Sequence, residues 1–381
     1  MRKVAVVTGT RADYGIFYPV LKAIEEDGEL ELILIVTGMH LSPRYGLTVR
    51  DIERDGFTIF ARVDMLVDAD TGGAMAKSTG LALIGIAQAL EQAQPDMLLV
   101  LGDRGEMLAA AAAAGYMNIP VFHLHGGEVS GTVDERVRHA ISKLAHFHFP
   151  ATRSAAERLI RMGEEEWRVQ VVGAPRLDTI RMASLPSRPD IYRRLGLNPE
   201  RTTALAIYHP VTDERASQGE KMDRFLDALL ASGLQVVLIY PNADAGGREM
   251  IARLNRVREH PDFLVVPSLD PHVYLALLKN VDLMVGNSSS GIIEAASFKV
   301  PVVNVGDRQA GRERSGNVVD CGEEKEAILA AIKYVLTDRD FRENLKQVTN
   351  VYGDGRAVER IVACLKTIPL DERLLKKRIA Y

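Results

Sequence analysis

The stretch PDMLLVLGDRGEMLAAAAAAGYMNIPVFHLHGGEVSGTVDERVRH, Pro95 to His139, decides the fold. An apolar run from Met97 to Leu101 ends in the polar corner Gly102-Asp103-Arg104-Gly105-Glu106, and an alanine-rich segment, Met107 to Met117, follows with helical composition. A second apolar run, Ile119 to Leu124, ends in His125-Gly126-Gly127-Glu128, before a helix that opens near Thr132 to Glu135. Strand, corner and helix in repeated succession predict an open parallel sheet, in which ligands bind at the carboxyl ends of the strands. Two neighbouring corners then bring Asp103, Arg104, Glu106, His125, Glu128 and Asp134 to one crevice, which is an active site in outline.

The same alternation extends to both sides. Lys3 to Thr8 reads as a strand, Gly9 to Gly15 as its corner and Ile16 to Glu26 as an amphipathic helix. That corner has neither G-x-G-x-x-G nor the lysine of a P-loop, so dinucleotide and Walker-type triphosphate binding are not indicated. Further strands are predicted at Glu31 to Thr37, Phe57 to Val63, Phe147 to Ala151 and Arg168 to Val172, with helices at Thr71 to Gln92 and Ser154 to Met162. The pattern lapses near Ser184-Leu185-Pro186-Ser187-Arg188-Pro189, whose composition is that of a linker. A second series begins at Thr203 and runs through strands Gln235 to Ile239, Phe263 to Val266, Val281 to Val285 and Val300 to Val305; beyond Arg314 only helix is predicted. The expectation is α/β, two doubly wound Rossmann-like domains facing across a cleft: 1–178, a linker at 179–202, 203–355, and a helical tail, 356–381, returning to the first domain.

Composition narrows the function. A chain of 381 residues exceeds one ordinary core and suits two domains of roughly 180 residues each. A formal net charge of -4 gives no general attraction to nucleic acid or anionic lipid, and 6 % aromatic residues make a base-stacking platform a poor fit. Cys321 and Cys364 form no metal spacing, no signal peptide is read at the amino terminus, and no apolar stretch reaches membrane-spanning length. A reduced, cytoplasmic protein with no metal, no nucleic-acid partner and no membrane partner is expected.

Several corners carry chemistry. Asn287-Ser288-Ser289-Ser290-Gly291 stands where a strand feeds a helix, so amides and hydroxyls there suit an anion such as phosphate. One serine would be explained as an N-cap; three and a glycine exceed that need. Glu294, just beyond, is placed to accept from ribose hydroxyls. Arg308 follows the next strand, where its guanidinium suits a diphosphate; a solvated basic loop with Arg312 and Arg314 is the alternative reading. His209 ends the first strand of the second domain, where it could donate to a leaving phosphate or bond a buried turn. His123 and His125 alternate, as in half a metal site, but no zinc spacing completes it. Asp103 and Asp134, with Glu128, are the acid/base candidates, because carboxylates gathered from separate corners shift one another's protonation.

Strings along nearly the whole chain resemble the hydrolysing UDP-N-acetylglucosamine 2-epimerases, including the epimerase half of the bifunctional enzyme of sialic acid synthesis. They are TRADY (Thr10 to Tyr14), GDR (Gly102 to Arg104), GGEVSGT-x-D (Gly126 to Asp134), RHAI-x-KLAH (Arg138 to His146), HPVT (His209 to Thr212), PN-x-DAG (Pro241 to Gly246), GNSS (Gly286 to Ser289), R-Q-x-GRE (Arg308 to Glu313) and Tyr352-Gly353-Asp354-Gly355. The resemblance implies the two-domain GT-B-like fold shared with one class of glycosyltransferases, no cofactor, and a homodimer or homotetramer. It implies loss of UDP, a glycal intermediate and hydration with inversion at C2, giving free N-acetylmannosamine from UDP-N-acetylglucosamine. By the same resemblance Asp103 and Asp134 are the acid/base carboxylates, with His125 and Glu128 beside them. His209 and Arg11 assist departure of the diphosphate, and Ser288, Ser289, Glu294 and Arg308 hold UDP, with Asn242 close to it; Arg104, Ser290 and Gly291 are further candidates for binding the substrate.

Two positions depart from the pattern. His125 stands where the sialic acid enzymes carry a glutamate, and Ile16 replaces a lysine found after TRADY in the animal enzyme. Histidine also shuttles protons near neutral pH. The same chemistry on UDP-N,N'-diacetylbacillosamine, on the way to legionaminic acid, is the alternative; that sugar lacks the 6-hydroxyl and carries a 4-acetamido group. A nonhydrolysing 2-epimerase, a glycosyltransferase of the same architecture and a non-catalytic sugar-nucleotide sensor are the other readings.

Overall fold

A computed structural model describes residues 1–69, 71–129, 133–211, 218–241 and 247–380. The chain divides into two units, Met1–Arg181 with the chain from Tyr352 onward, and Met182–Val351.

The first unit is built on strands β1 (Arg2–Thr8), β2 (Leu30–Thr37), β3 (Ile59–Val63), β4 (Met97–Leu101), β5 (Val121–Leu124) and β6 (Phe147–Phe149), all parallel in the order β3-β2-β1-β4-β5-β6. β1 and β4 read as unbroken apolar runs because both faces of a parallel sheet are covered by helices; Val4 to Val7 and Met97 to Val100 are fully buried. The order reverses between β1 and β4, and the register Val4 to Met97 and Val6 to Leu99 brings the Thr8 end of β1 alongside the end of β4. This is the switch point at which open α/β sheets leave a crevice. Helix Ala357–Thr367, from the end of the chain, adds Ile361 and Leu365 to the same core.

Two elements differ from expectation. The first helix is Arg11–Glu26, so TRADY forms its opening turn and not an extended corner. The cause is a capping box: the Thr10 hydroxyl accepts the Asp13 amide at 3.3 Å, and the Asp13 carboxylate accepts the Thr10 amide at 3.0 Å. The strand expected at Arg168 to Val172 does not form. It runs beside β6, but Pro150 there has no N–H to give back; only a single bridge, His148 with Val169, and two bonds from the amides of Gln170 and Val172 remain.

The second unit repeats the plan. Its strands β7 (Thr203–Ile207), β8 (Gln235–Ile239), β9 (Phe263–Val266), β10 (Leu283–Gly286), β11 (Val302–Val305) and β12 (Val318–Cys321) are parallel in the order β12-β11-β10-β7-β8-β9. β12 lies where only helix was expected. It is a four-residue edge strand with an exposed Asp320, too short and too polar to betray itself by pattern. Within the segment read as linker, Arg188–Leu195 is a helix. Its Arg188 pairs with Asp282 at 2.9 Å, and Tyr192 is buried in the second core. Among the described residues no helix is long and apolar enough to cross a membrane, and both cysteines are unbridged.

Candidate active site

In the first unit the β4 corner turns at Gly102, whose φ of +73° suits glycine. Asp103 follows with its carboxylate held by the Arg138 guanidinium, which also donates to the Glu128 carbonyl at 3.0 Å. Arg138, on helix Val133–Leu144, is buried and so ties the β4 corner to the β5 corner. Asp134 lies one turn earlier on that helix, at its start; its side chain is outside the described residues. His123 points inward from β5, with Nε2 2.8 Å from the Gly102 carbonyl and Nδ1 3.1 Å from the Ser142 hydroxyl. A carbonyl only accepts, so Nε2 carries the hydrogen. Burial lowers this histidine to about 3, so it is neutral, and its work is to brace the Gly102 turn. His125, past the end of β5, bonds through Nδ1 to Glu128 Oε1 at 2.5 Å. Gly127, between them, has φ +77°, and a Cβ there would lie 2.3 Å from the Ala155 carbonyl oxygen.

Arg104 occupies the N-cap position of helix Gly105–Tyr116 and reaches Glu106 Oε1 at 2.7 Å. Glu106 is buried against the β1 corner: a Cβ on Gly9 would lie 2.2 Å from its Oε1. There Asp13 accepts from the Thr8 hydroxyl, from the Gly9 and Thr10 amides at 3.2 and 3.0 Å, and from the Thr10 hydroxyl at 3.2 Å. Burial pushes Asp13 up to about 7 against the pull of Thr8, and the charge of Glu106 pushes the same way. His40 completes the group, with Nε2 3.1 Å from Thr8 Oγ1 and Nδ1 2.7 Å from Thr48 Oγ1; burial lowers it to about 4. Arg11 is exposed on the first turn beyond this cluster.

In the second unit the β7 and β10 ends are stitched by Asn287. Its side chain accepts the His209 amide at 2.7 Å and donates to the His209 carbonyl at 2.8 Å. The Asn287 carbonyl receives Arg308 Nη1 at 3.1 Å and Gln309 Nε2 at 2.8 Å, so the β11 corner joins the same knot. Gly286 permits the close approach: with φ +133°, a Cβ there would lie 1.9 Å from the Ile207 carbonyl oxygen. Ser288 caps helix Ser289–Ile293, accepting the Ser290 amide at 3.3 Å, and the Ser290 hydroxyl contacts Glu294 and the Tyr274 hydroxyl. Ser288, Ser289 and Ser290 are half-buried, while Gly291 and Glu294 are buried. Burial takes His209 down to about 3, with the Arg308 charge acting in the same direction, so the ring is neutral at pH 7. Asn242 lies outside the described residues.

Each unit therefore gathers its own set: Asp103, Arg104, His125 and Glu128 with the start of the Asp134 helix in one, and His209, Ser288 to Glu294 and Arg308 in the other. The sequence did not single out Asp13 or Arg138, and it placed Asn287 only within the serine stretch. Arg138 had a signal, one helical turn from Asp134. Asp13 had the pattern of Thr10 followed three residues later by an acid. Among the described residues no group of three or more histidine, cysteine or carboxylate side chains is arranged to hold a metal ion.

A family model described as UDP-N-acetylglucosamine 2-epimerase matches residues 22–366. The chain is 46 % identical over 381 residues, the full length of both proteins, to the UDP-N,N'-diacetylbacillosamine 2-epimerase (hydrolyzing) of Legionella pneumophila. It is 36 % identical over 333 residues, 87 % of each protein, to a UDP-N-acetylglucosamine 2-epimerase of Neisseria meningitidis. A solved Neisseria meningitidis UDP-GlcNAc 2-epimerase, bound to UDP-GlcNAc, shares the fold with a TM-score of 0.80 at 19 % identity, over 95 % of this chain and 99 % of that one. The α/β, two-domain, GT-B-like fold class expected from the sequence is the one observed, and the chain belongs to the UDP-N-acetylglucosamine 2-epimerase family.

Proposed function

We propose that this chain is a hydrolysing 2-epimerase of a UDP-linked 2-acetamido sugar, with UDP-N,N'-diacetylbacillosamine as its first substrate. The observation that carries this is the 46 % identity, end to end, with a relative named for that activity. UDP-N-acetylglucosamine is the second reading, favoured by the Neisseria relative. In this reaction the C1–O bond breaks and UDP leaves with its electron pair, while the C2–H pair becomes a C1=C2 double bond and the proton passes to a base. Water then adds across the glycal, oxygen to C1 and a proton to the opposite face of C2, and the free C2-inverted sugar results.

The groups for these steps are Asp103, Asp134, His125 and Glu128 as acid/base residues, with His209 and Arg11 assisting the departing diphosphate. In support, the two described carboxylates and His125 gather at adjacent strand ends, where proton transfer is efficient within hydrogen-bond reach. A neutral His209 serves as a hydrogen-bond donor to the leaving phosphate oxygens. Ser288, Ser289, Ser290, Gly291, Glu294, Arg308, Arg104 and Asn242 hold UDP; the half-buried serines around the Ser288 cap, next to the Arg308 guanidinium, suit an anion. The family's account adds a homodimer or homotetramer in the cytoplasm, supplying sialic- or legionaminic-acid synthesis.

The test is incubation with each UDP-sugar alone in D2O, with products resolved by NMR. Free sugar, inverted and deuterated at C2, is expected, with the diacetamido substrate preferred. An intact UDP-sugar epimer would mean the nonhydrolysing reaction, a need for an acceptor would mean glycosyl transfer, and UDP binding with no turnover would mean a sensor.

A further inference from the structure

We propose that His125 and Glu128 act as one proton-transfer pair, in which Glu128 fixes the imidazole tautomer and Nε2 is the atom that takes the C2 proton. This rests on the hydrolysing 2-epimerase reading above.

The geometry of the pair is specific. His125 is a non-glycine residue at φ +58°, a strained conformation that persists only where surrounding structure enforces it. Enforcement comes from three sides. The His125 amide donates to the Phe149 carbonyl at 3.1 Å, Gly127 is wedged against the Ala155 carbonyl, and Arg138 holds the Glu128 carbonyl at 3.0 Å. The two side chains are then nearly buried, 11 % and 10 % exposed, with Nδ1 against Oε1 at 2.5 Å. An ionised carboxylate only accepts, so the hydrogen lies on Nδ1 and the Nε2 lone pair is left as base. Nε2 is buried and has no hydrogen-bond partner among the described residues. A buried polar nitrogen with no partner costs free energy unless something else uses it. Proton transfer supplies that use: as the C2–H pair forms the C1=C2 bond and UDP departs, Nε2 gains the proton, and the resulting imidazolium is matched by the Glu128 charge. Glu128 is thus a positioning residue acting through His125, which stands where the sialic acid enzymes carry a glutamate.

The test combines a spectroscopic and a kinetic arm on the full chain. Nitrogen-15 histidine labelling should show the neutral form of His125 protonated at Nδ1 and bare at Nε2, with that preference weakened in Glu128→Gln. In the kinetic arm, His125→Gln should lose kcat on the order of 10²-fold or more, with KM within about threefold and UDP binding and thermal unfolding near wild type. Glu128→Gln should show a smaller loss in kcat, and free imidazole should restore turnover to His125→Ala. A proton resident on Nε2 overturns the pair, as does a His125→Gln variant that keeps its kcat. The tautomer is read with no substrate present, so a wild-type chain that turns over neither sugar nucleotide refutes the functional reading separately.

Discussion

The two units share one strand order but fill its switch point with opposite chemistry. At the β1 and β4 ends of the first unit stand carboxylates, Asp13 and Glu106 buried and Asp103 half-buried, each matched to a hydroxyl, an amide or a cation: Asp13 with Thr8, Glu106 with Arg104, Asp103 with Arg138. At the β7 and β10 ends of the second stand amides and hydroxyls, Asn287, Ser288 and Ser290, joined by Gln309 and Arg308 from the β11 corner, with a neutral His209 and one buried acid, Glu294. One backbone plan supplies both corners, so under the proposed function it is the side chains at the strand ends, and not the topology, that separate the corner assigned proton transfer from the one assigned UDP.

The largest effect that tests this division is Asp103→Asn. It should lower kcat on the order of 10³-fold while UDP affinity by titration calorimetry stays within a few-fold. Its counterpart Arg308→Ala should weaken UDP by roughly 10-fold to 100-fold, as loss of a charge-assisted hydrogen bond does. If Asp103→Asn abolishes UDP binding as well, the division of labour is wrong.

Next in size is Gly286→Ala. The new methyl would have to displace the Ile207 carbonyl from a residue at φ +133°, and a loss of about 3 kcal/mol in unfolding free energy is expected. Calorimetry that finds the variant as stable as wild type would mean β7 and β10 tolerate separation, and the Asn287 knot would then not set the second corner.

The last effect concerns Asp13 and is spread over several pH units. Its folded value, pushed up to about 7, lies above the ordinary 3.8, so between these limits the folded chain binds more protons than the unfolded one. Stability linked to this group is therefore present below about pH 4 and lost as pH rises toward 7, with a slope of at most about 1.4 kcal/mol per pH unit. Denaturant unfolding of Asp13→Asn should show a flatter profile across that window. A profile parallel to wild type would mean that Asp13 is already ionised when folded.

Strand, corner and helix were legible because their signals are local. An apolar run of five residues followed by glycine and acids reads the same way in any context, and Asp103, His125, Ser288 and Arg308 all stand at such ends. The failures were also local in origin. The TRADY turn was read as loop because a glycine follows it, whereas the Thr10–Asp13 box starts the helix. Arg168 to Val172 has strand composition, but its neighbour offers Pro150. β12 is short and carries Asp320.

The amino-acid order alone determined two wound sheets, the positions of the corners and the residue types at each, since periodicity and turn chemistry act over a few residues. Only the tertiary structure decided the partners: Arg138 for Asp103, 35 positions apart, Glu106 beside Gly9 and Asp13, and Asn287 for His209. Such pairs depend on strand register and helix packing, which are set by the whole core and leave no periodic trace along the chain.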